Sequence, residues 1–366
     1  LIHSEPIWRR FDYVLFGITI LLIVFGVLMI RSATQGAIDP TLMTRVPDQI
    51  RFAILGIFFM VALSWMDYRL LGGLQTWIYL IMVVLLVLVL FFGVAGDGGV
   101  TQGWINLGIR VQPAEIAKVL IIITLAHFLA RRYHEMDRLS TIFLSLIHIG
   151  IPAGLIFIQP DLGMTIVFAF VWFVMIWAAG LRLRHIGLFV LVMAISAPLV
   201  WSRMEDYQRS RITTFISPQS DPDAYYNIRQ ALISVGSGGT LGKGYSVGSQ
   251  NKGRFLRVRH TDFIFSVIAE EFGFVGGMVV LGMIALVLMR ILYGAQMAPD
   301  AFGSLICYGV AAFIFFQTVT SVGMNLGLIP VTGLTLPFIS SGGTSLLSTL
   351  AGIGLAESVI ARRRRI

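Results

Sequence analysis

The chemistry in this chain gathers where polar stretches give way to apolar ones. The clearest junction is residues 257–276, Arg-Val-Arg-His-Thr-Asp-Phe-Ile-Phe-Ser-Val-Ile-Ala-Glu-Glu-Phe-Gly-Phe-Val-Gly. Asp262 stands at the junction, with Arg257, Arg259 and His260 just before it. Two readings of this carboxylate are open. Thr261 and Asp262 are helix-capping types, and negative charge is favoured at a helix N-terminus. Alternatively, Asp262 is a reactive carboxylate at a membrane surface, ringed by cations and facing an anionic substrate.

Two further groupings could do chemistry. Glu115 and Lys118, in Gln112-Pro-Ala-Glu-Ile-Ala-Lys118, share a helix face and can pair. Pro113 suits the first helical turn. Ionisable residues inside an apolar span are costly and usually face a cavity, so the pair either fixes helix packing or serves a substrate. Gly236-Ser-Gly-Gly-Thr-Leu-Gly-Lys-Gly244 is rich in glycine but is not a Walker loop. Ser237 stands where the first glycine would, and Gly244 replaces the expected Ser or Thr. Such a backbone, with Lys243, can cradle a pyrophosphate through its N–H groups, or can simply be a flexible loop. Glu270 and Glu271 lie two turns into the apolar run and point about 100° apart. One can therefore face a cavity and the other a neighbouring helix. Gln159-Pro-Asp-Leu-Gly163 is a tight link in which Asp161 can cap the next helix.

The elements that must position these residues are membrane spans. The chain is 57% hydrophobic and 13% charged, against about 25% charged in soluble domains. Apolar segments run at about 13–30, 50–66, 77–94, 114–130, 142–158, 164–179, 186–201, 263–292, 302–329 and 345–360. The pattern predicts an all-α integral membrane protein, a bundle of ten transmembrane helices forming one polytopic domain over 1–366. A large extracytoplasmic loop, 202–261, lies between the seventh and eighth helices and contains a short helical candidate at Tyr226–Ser234. The first run, preceded by Arg9 and Arg10, reads as an uncleaved helix rather than a signal peptide.

Orientation follows the loop arginines. Arg9, Arg10, Arg69, Arg131, Arg132, Arg138, Arg182, Arg184, Arg290 and Arg362 to Arg365 fall on one side, which places both termini in the cytoplasm. The net charge of +8 therefore reports cytoplasmic loops and contact with membrane lipid, with no nucleic acid implied. The single cysteine, Cys307, excludes an internal disulfide, and the six histidines show no metal-ligand spacing. Two prolines and several glycines between Asn325 and Ser345 require irregular backbone at membrane depth. That is tolerated only against protein or a watery cavity.

Taken together, these motifs resemble the shape, elongation, division and sporulation (SEDS) family, typified by RodA and FtsW and including the sporulation protein SpoVE. The resemblance rests on Trp104-Ile-Asn-Leu-Gly108 through Lys118, the Gln159–Gly163 link, Asp206-Tyr-Gln208 and Gly236–Gly244. It also rests on His260-Thr-Asp-Phe-Ile-Phe265, Glu270-Glu-Phe-Gly273 and the Asn325–Ser345 region. It covers nearly the whole chain and is closest to RodA. It implies a multi-pass protein of the bacterial cell (inner) membrane, a peptidoglycan glycosyltransferase that polymerises lipid II. The role is in cell-wall elongation and cell shape, or in division, with a class B penicillin-binding protein as partner. It implies that Asp262 is the catalytic carboxylate and that Trp104, Arg110, Glu115, Lys118 and Asp161 line the cavity. Lys243, Arg257, Arg259 and His260 complete the expected substrate-binding set.

The chain departs from the family pattern at three places. Gly103 replaces an arginine before Trp104, Arg257-Val258 replaces Pro-Glu, and Ser341 replaces a tyrosine. No carboxylate cluster for a metal is evident, although two pyrophosphates are compatible with Mg²⁺ or Mn²⁺. The competing functions are a lipid II flippase and a non-catalytic scaffold for the penicillin-binding protein. A flippase needs polar residues at both membrane faces, and a scaffold has no need of Asp262. Gly276, Gly277 and Gly303 mark either a docking surface for the partner's membrane helix or packing within the bundle.

Overall fold

The computed structural model describes residues 10–36, 40–94, 103–106, 108, 110–219, 221–253, 255–256 and 258–363. Arg257, Arg9, Arg364 and Arg365 lie outside the described residues. The first part comprises α1 (Tyr13–Thr34), α2 (Pro40–Met43), α3 (Arg45–Trp65), α4 (Tyr68–Gly73) and α5 (Gln75–Phe92). A small hairpin, β1 (Ile105–Asn106) with β2 (Arg110–Val111), leads into α6 (Pro113–Arg131). Then come α7 (Leu139–Ile158), α8 (Leu162–Ala178), α9 (Leu183–Arg203), α10 (Asp206–Ile216), α11 (Pro222–Gly238) and α12 (Ser249–Lys252). The chain ends with α13 (Ile264–Gln296), α14 (Ala301–Asn325) and α15 (Gly343–Ile360).

Every expected apolar segment coincides with a helix. Among the described residues, eight helices are long and apolar enough to cross a membrane: α1, α3, α5, α6, α7, α13, α14 and α15. Helix α8 is apolar but has 17 residues, short of the roughly 20 that a bilayer core asks for. The protein is an all-α membrane bundle. Helices α6, α14 and α15 form its inside, with 72%, 72% and 83% of their apolar windows buried, against 17% for α5. The outer helices turn Phe58, Trp77 and Phe91 outward, as a lipid-facing surface requires.

Two elements differ from expectation. The stretch 202–261 is largely helical rather than a loop with one short helix. Glu205 and Gln208 form a reciprocal capping box that starts α10. Ile228 and Ala231, three residues apart on α11, are buried as that helix packs on α13. The second difference is in α13, which is not continuous. Gly273 takes φ 66°, ψ −164° in its middle, a left-handed conformation that glycine adopts without penalty.

The break in α13 explains the glycine run. It releases the carbonyls of Glu270 and Glu271 and the amides of Phe274 and Val275 from the helical ladder. Lys243 and Gly244 donate their amides to Glu270 O (3.0 Å) and Glu271 O (2.9 Å). Gly239 and Thr240 carbonyls accept from Phe274 N (2.9 Å) and Val275 N (3.1 Å). All four released groups are therefore satisfied, as membrane depth demands. The approach is so close that a Cβ on Gly242 would lie 2.2 Å from Glu271 O.

Candidate active site

Asp262 lies in the turn before α13, and three hydrogen bonds hold the backbone of residues 260–262. Asn325, at the end of α14, donates Nδ2 to Asp262 O at 2.8 Å. Ser340 Oγ donates to Thr261 O at 2.8 Å, and Ser341 N donates to His260 O at 2.9 Å. The irregular chain between α14 and α15 is thus the clamp that fixes His260-Thr261-Asp262.

The Asp262 carboxylate does not cap α13. The helix has Phe263 at its N-cap and no capping side chain of its own. Asn325 Oδ1 instead accepts Ser266 N at 2.9 Å and Ser266 Oγ at 2.7 Å. The side chain of Asp262 is therefore free of the duty that its position suggested. Burial pushes its pKa up, while the Arg211 charge and a hydrogen bond from Thr261 pull it back.

Arg211 is the residue that sequence reasoning missed. It sits on α10 beside Tyr207, with its guanidinium 4.7 Å from the centre of the Tyr207 ring. Its charge acts on Asp262 and also on Asp161. It also approaches the α14–α15 connection, where a Cβ on Gly333 would lie 3.6 Å from its Nη1. No carboxylate among the described residues pairs with it. Helix α10 thus carries a cation between two carboxylates from distant parts of the chain. The available signal was the spacing of Tyr207 and Arg211, four apart and so on one helix face.

Asp161 does cap its helix, accepting Met164 N through Oδ1 at 3.0 Å. Its Oδ2 accepts Gln112 Nε2 at 3.0 Å. Burial, with the Glu115 charge adding to it, raises its pKa to about 6 against the Met164 amide, Arg211 and Gln112. Gln112 joins Asp161 to the head of α6. Three residues on, Glu115 Oε2 accepts Lys118 Nζ at 2.6 Å and Ser348 Oγ at 2.9 Å. Lys118 also donates to Gln317 Oε1 at 3.2 Å and lies 4.4 Å from the centre of the Phe313 ring. Lys118 is fully buried. It locks α6 to α14 and offers no exposed charge to a ligand.

The other expected residues divide. Trp104 pairs with Val94 through backbone bonds of 2.7 and 3.3 Å, and Arg110 is exposed on β2 beside α15. Both belong to the hairpin that delivers Gln112 and α6. At Gly103, where an arginine was expected, a Cβ would meet nothing nearer than 4.0 Å, and the closest atoms belong to Gln112 and Gln159. There is space here for a Cβ. His260 is buried, and that burial, with Arg45 and Arg259 adding to it, lowers its pKa to about 4. Its imidazole is neutral at neutral pH.

Two expected cations are committed elsewhere. Arg259 is buried and donates to the carbonyls of Ala33 and Leu256, tying the turn to the end of α1. Lys243 donates to Glu270 Oε1 (3.1 Å), Ser237 Oγ (2.8 Å) and Ser249 Oγ (2.9 Å). The glycine run is a backbone plug for the break in α13, not a phosphate cradle. Glu271 turns the other way and accepts Ser32 Oγ of α1. Gly303 packs against Tyr68, and Gly277 against Phe265. The exposed face of α13 is instead Phe274, Val275, Met278 and Val279. Among the described residues, no group of three or more His, Cys, Asp or Glu side chains could hold a metal ion.

A carboxylate on a clamped backbone, in the field of a guanidinium that forms no ion pair among the described residues, can accept a proton and hold a neighbouring anion. Comparison with known proteins shows the family. Residues 12–365 match the FtsW/RodA/SpoVE family model, described as cell cycle protein. The peptidoglycan glycosyltransferase MrdB of Escherichia coli strain K12 is 37% identical over all of this chain and 98% of its own. The crystal structure of Thermus thermophilus rod shape determining protein RodA superposes with a TM-score of 0.72. It is 32% identical, with 99% of this chain and 100% of that one covered. A chain in a peptidoglycan synthase complex that coordinates polymerization and crosslinking matches with a TM-score of 0.81. It too is 32% identical, covering 97% of this chain and 99% of that one. The chain belongs to the FtsW/RodA/SpoVE family.

Proposed function

We propose that this chain is a peptidoglycan glycosyltransferase of cell-wall synthesis that polymerises lipid II, with Asp262 as the general base. MrdB supports the activity, since it carries that name and is similar from end to end. The observation that carries the residue assignment is the Asp262–Asn325 arrangement. The backbone of Asp262 is clamped, while Asn325 does the capping that would otherwise occupy its carboxylate.

The chemistry follows from the substrate. Lipid II presents an α-linked sugar pyrophosphate, and the polymer is β-linked, so one in-line displacement with inversion suffices. The acceptor hydroxyl loses its proton to Asp262 as its oxygen bonds to the anomeric carbon. The bond from that carbon to the pyrophosphate oxygen breaks, and undecaprenyl pyrophosphate leaves with the electron pair. Arg211 stabilises the departing charge, a task suited to the planar guanidinium fork. Glu115 and Lys118 hold α6 so that Gln112 can position Asp161. A divalent cation such as Mg²⁺ or Mn²⁺ would be held mainly by the substrate's phosphates, since Mg²⁺ is usually bound through few protein carboxylates. Polymerisation of labelled lipid II by purified protein, with and without chelator, tests both the activity and the metal.

The partner is a class B penicillin-binding protein whose membrane helix docks on the exposed α13 face of Phe274, Val275, Met278 and Val279. The matching chain in a synthase complex that coordinates polymerization with crosslinking supports this. Loss of co-purification in Val275→Arg with Val279→Arg is expected, and unchanged co-purification refutes that face. The proposed orientation has both termini in the cytoplasm of a bacterial inner-membrane protein and the α10–α12 segment outside. Labelling of Val247→Cys from the cytoplasmic side alone would refute it.

A further inference from the structure

A second cleft lies at the other end of the bundle. Two adjoining cavities of about 630 and 610 Å³ share His127 and Arg131 of α6. The head of α6 contacts the Asp262 end through Gln112, and its 19 residues climb about 28 Å to Arg131. The cleft is therefore a separate place from the site above.

Its charges are unbalanced. Glu135 in the cleft is paired with Arg138 at 3.1 Å, and Arg69 with Asp300 at 3.0 Å. Arg131 and Arg132 form no ion pair among the described residues, and both line the cavity. Arg132 is pre-oriented, with its guanidinium 4.2 Å from the centre of the Phe128 ring. Phe128 stacks on His148 at 5.4 Å, and His148 lies 4.4 Å from Tyr79. A wall of rings thus holds the Arg132 guanidinium, and Arg131 lines the same cavity. Outside this wall the surface turns apolar: Leu144 is 47% exposed and Ile151 48%. Leu144 lies four residues before His148 on α7 and Ile151 three after it, so the three share one face.

We propose that this cleft binds an anionic phospholipid, its phosphate held by Arg131 and Arg132 and its acyl chains lying along Leu144 and Ile151. Paired guanidinium groups match phosphate oxygens in geometry and charge. Basic pockets between membrane helices are a general means of holding lipid head groups. The apolar margin distinguishes a lipid from a free phosphate.

Purified full-length protein in neutral detergent can be titrated with phosphatidylglycerol, phosphatidylcholine, glycerol phosphate and inorganic phosphate, with retention read by native mass spectrometry. Phosphatidylglycerol is expected to stay bound and phosphatidylcholine to be lost. Arg131→Gln with Arg132→Gln should weaken retention by about tenfold or more, as loss of charge-assisted bonds implies. Glu135→Gln with Arg138→Gln removes a whole ion pair from the same loop, leaves the net charge unchanged and should leave retention unchanged. Arg131 is exposed, so Arg131→Gln alone should fold and carry much of the loss. Equal losses in Glu135→Gln with Arg138→Gln and in Arg131→Gln with Arg132→Gln overturn the site. Equal retention of phosphatidylcholine, or displacement of the lipid by glycerol phosphate or inorganic phosphate at matched concentration, overturns the lipid assignment.

Discussion

Asn325 grips Asp262 from behind. Its Nδ2 donates to the Asp262 carbonyl at 2.8 Å and to Ser321 O at 2.7 Å, while its Oδ1 takes Ser266 N at 2.9 Å. One side chain of α14 therefore fixes the backbone on either side of the start of α13. Asp262→Asn should fold, insert and keep its partner, yet lose about 10²–10⁴-fold in polymerisation, the usual worth of a general base. Near-normal glycan synthesis by the purified variant refutes the base. Asn325→Leu should strand the groups it serves, destabilising by about 1–3 kcal/mol and lowering activity with Asp262 intact.

Arg211 should be readable in the pH dependence. Burial raises the Asp262 pKa and Arg211 opposes it. A base must be ionised, so the acid limb of the rate profile follows that pKa. Arg211→Gln should shift the limb to higher pH and lower the plateau. Arg211→Lys keeps the charge and should shift it less. An unmoved limb in Arg211→Gln separates the two residues.

The Glu115–Lys118 pair should behave as scaffold. Lys118→Met leaves Glu115 buried without its cation, at a cost of about 3–5 kcal/mol. Glu115→Gln with Lys118→Met removes both charges and should be less destabilised than Lys118→Met alone. Glu115→Gln should reduce polymerisation less than Asp262→Asn. A stable Lys118→Met whose defect is confined to substrate affinity would return Lys118 to the binding set.

His260 should set an acid limit on stability. Its pKa falls to about 4 in the folded protein, against about 6.5 when unfolded. Between those values the unfolded chain binds a proton that the folded one refuses. Stability is therefore full above about pH 6.5 and is lost as the pH falls toward about 4. Melting of wild type and His260→Gln in detergent between these limits checks it: the wild-type loss should be the steeper.

The membrane bundle was legible because apolar runs of spanning length are a one-dimensional signal. Asp262, Asp161 and the Glu115–Lys118 pair were legible because charges next to or inside such runs stand out. The fates of Lys243, Arg259 and Arg211 were not. All three are cations in polar surroundings, and only distant contacts tell them apart: Glu270 takes Lys243, Ala33 takes Arg259, and Arg211 keeps its charge for the carboxylates. The break at Gly273 was hidden for a related reason. A glycine within an apolar run reads as helix until the segment that answers its released carbonyls is known.

That break removes the border between surface and membrane at this place. Residues 239–244 and 270–275 are tied by four backbone bonds, so they can only move together or part at the expense of all four. The polar segment cannot be lifted off, shortened or exchanged for a relative's as an independent piece. A displacement of α10–α12 on the surface will pull directly on α13, the same helix whose first turn is set by Asn325 and whose outer face is the proposed docking surface. Events at the rim and events within the bilayer are, through this knot, one motion.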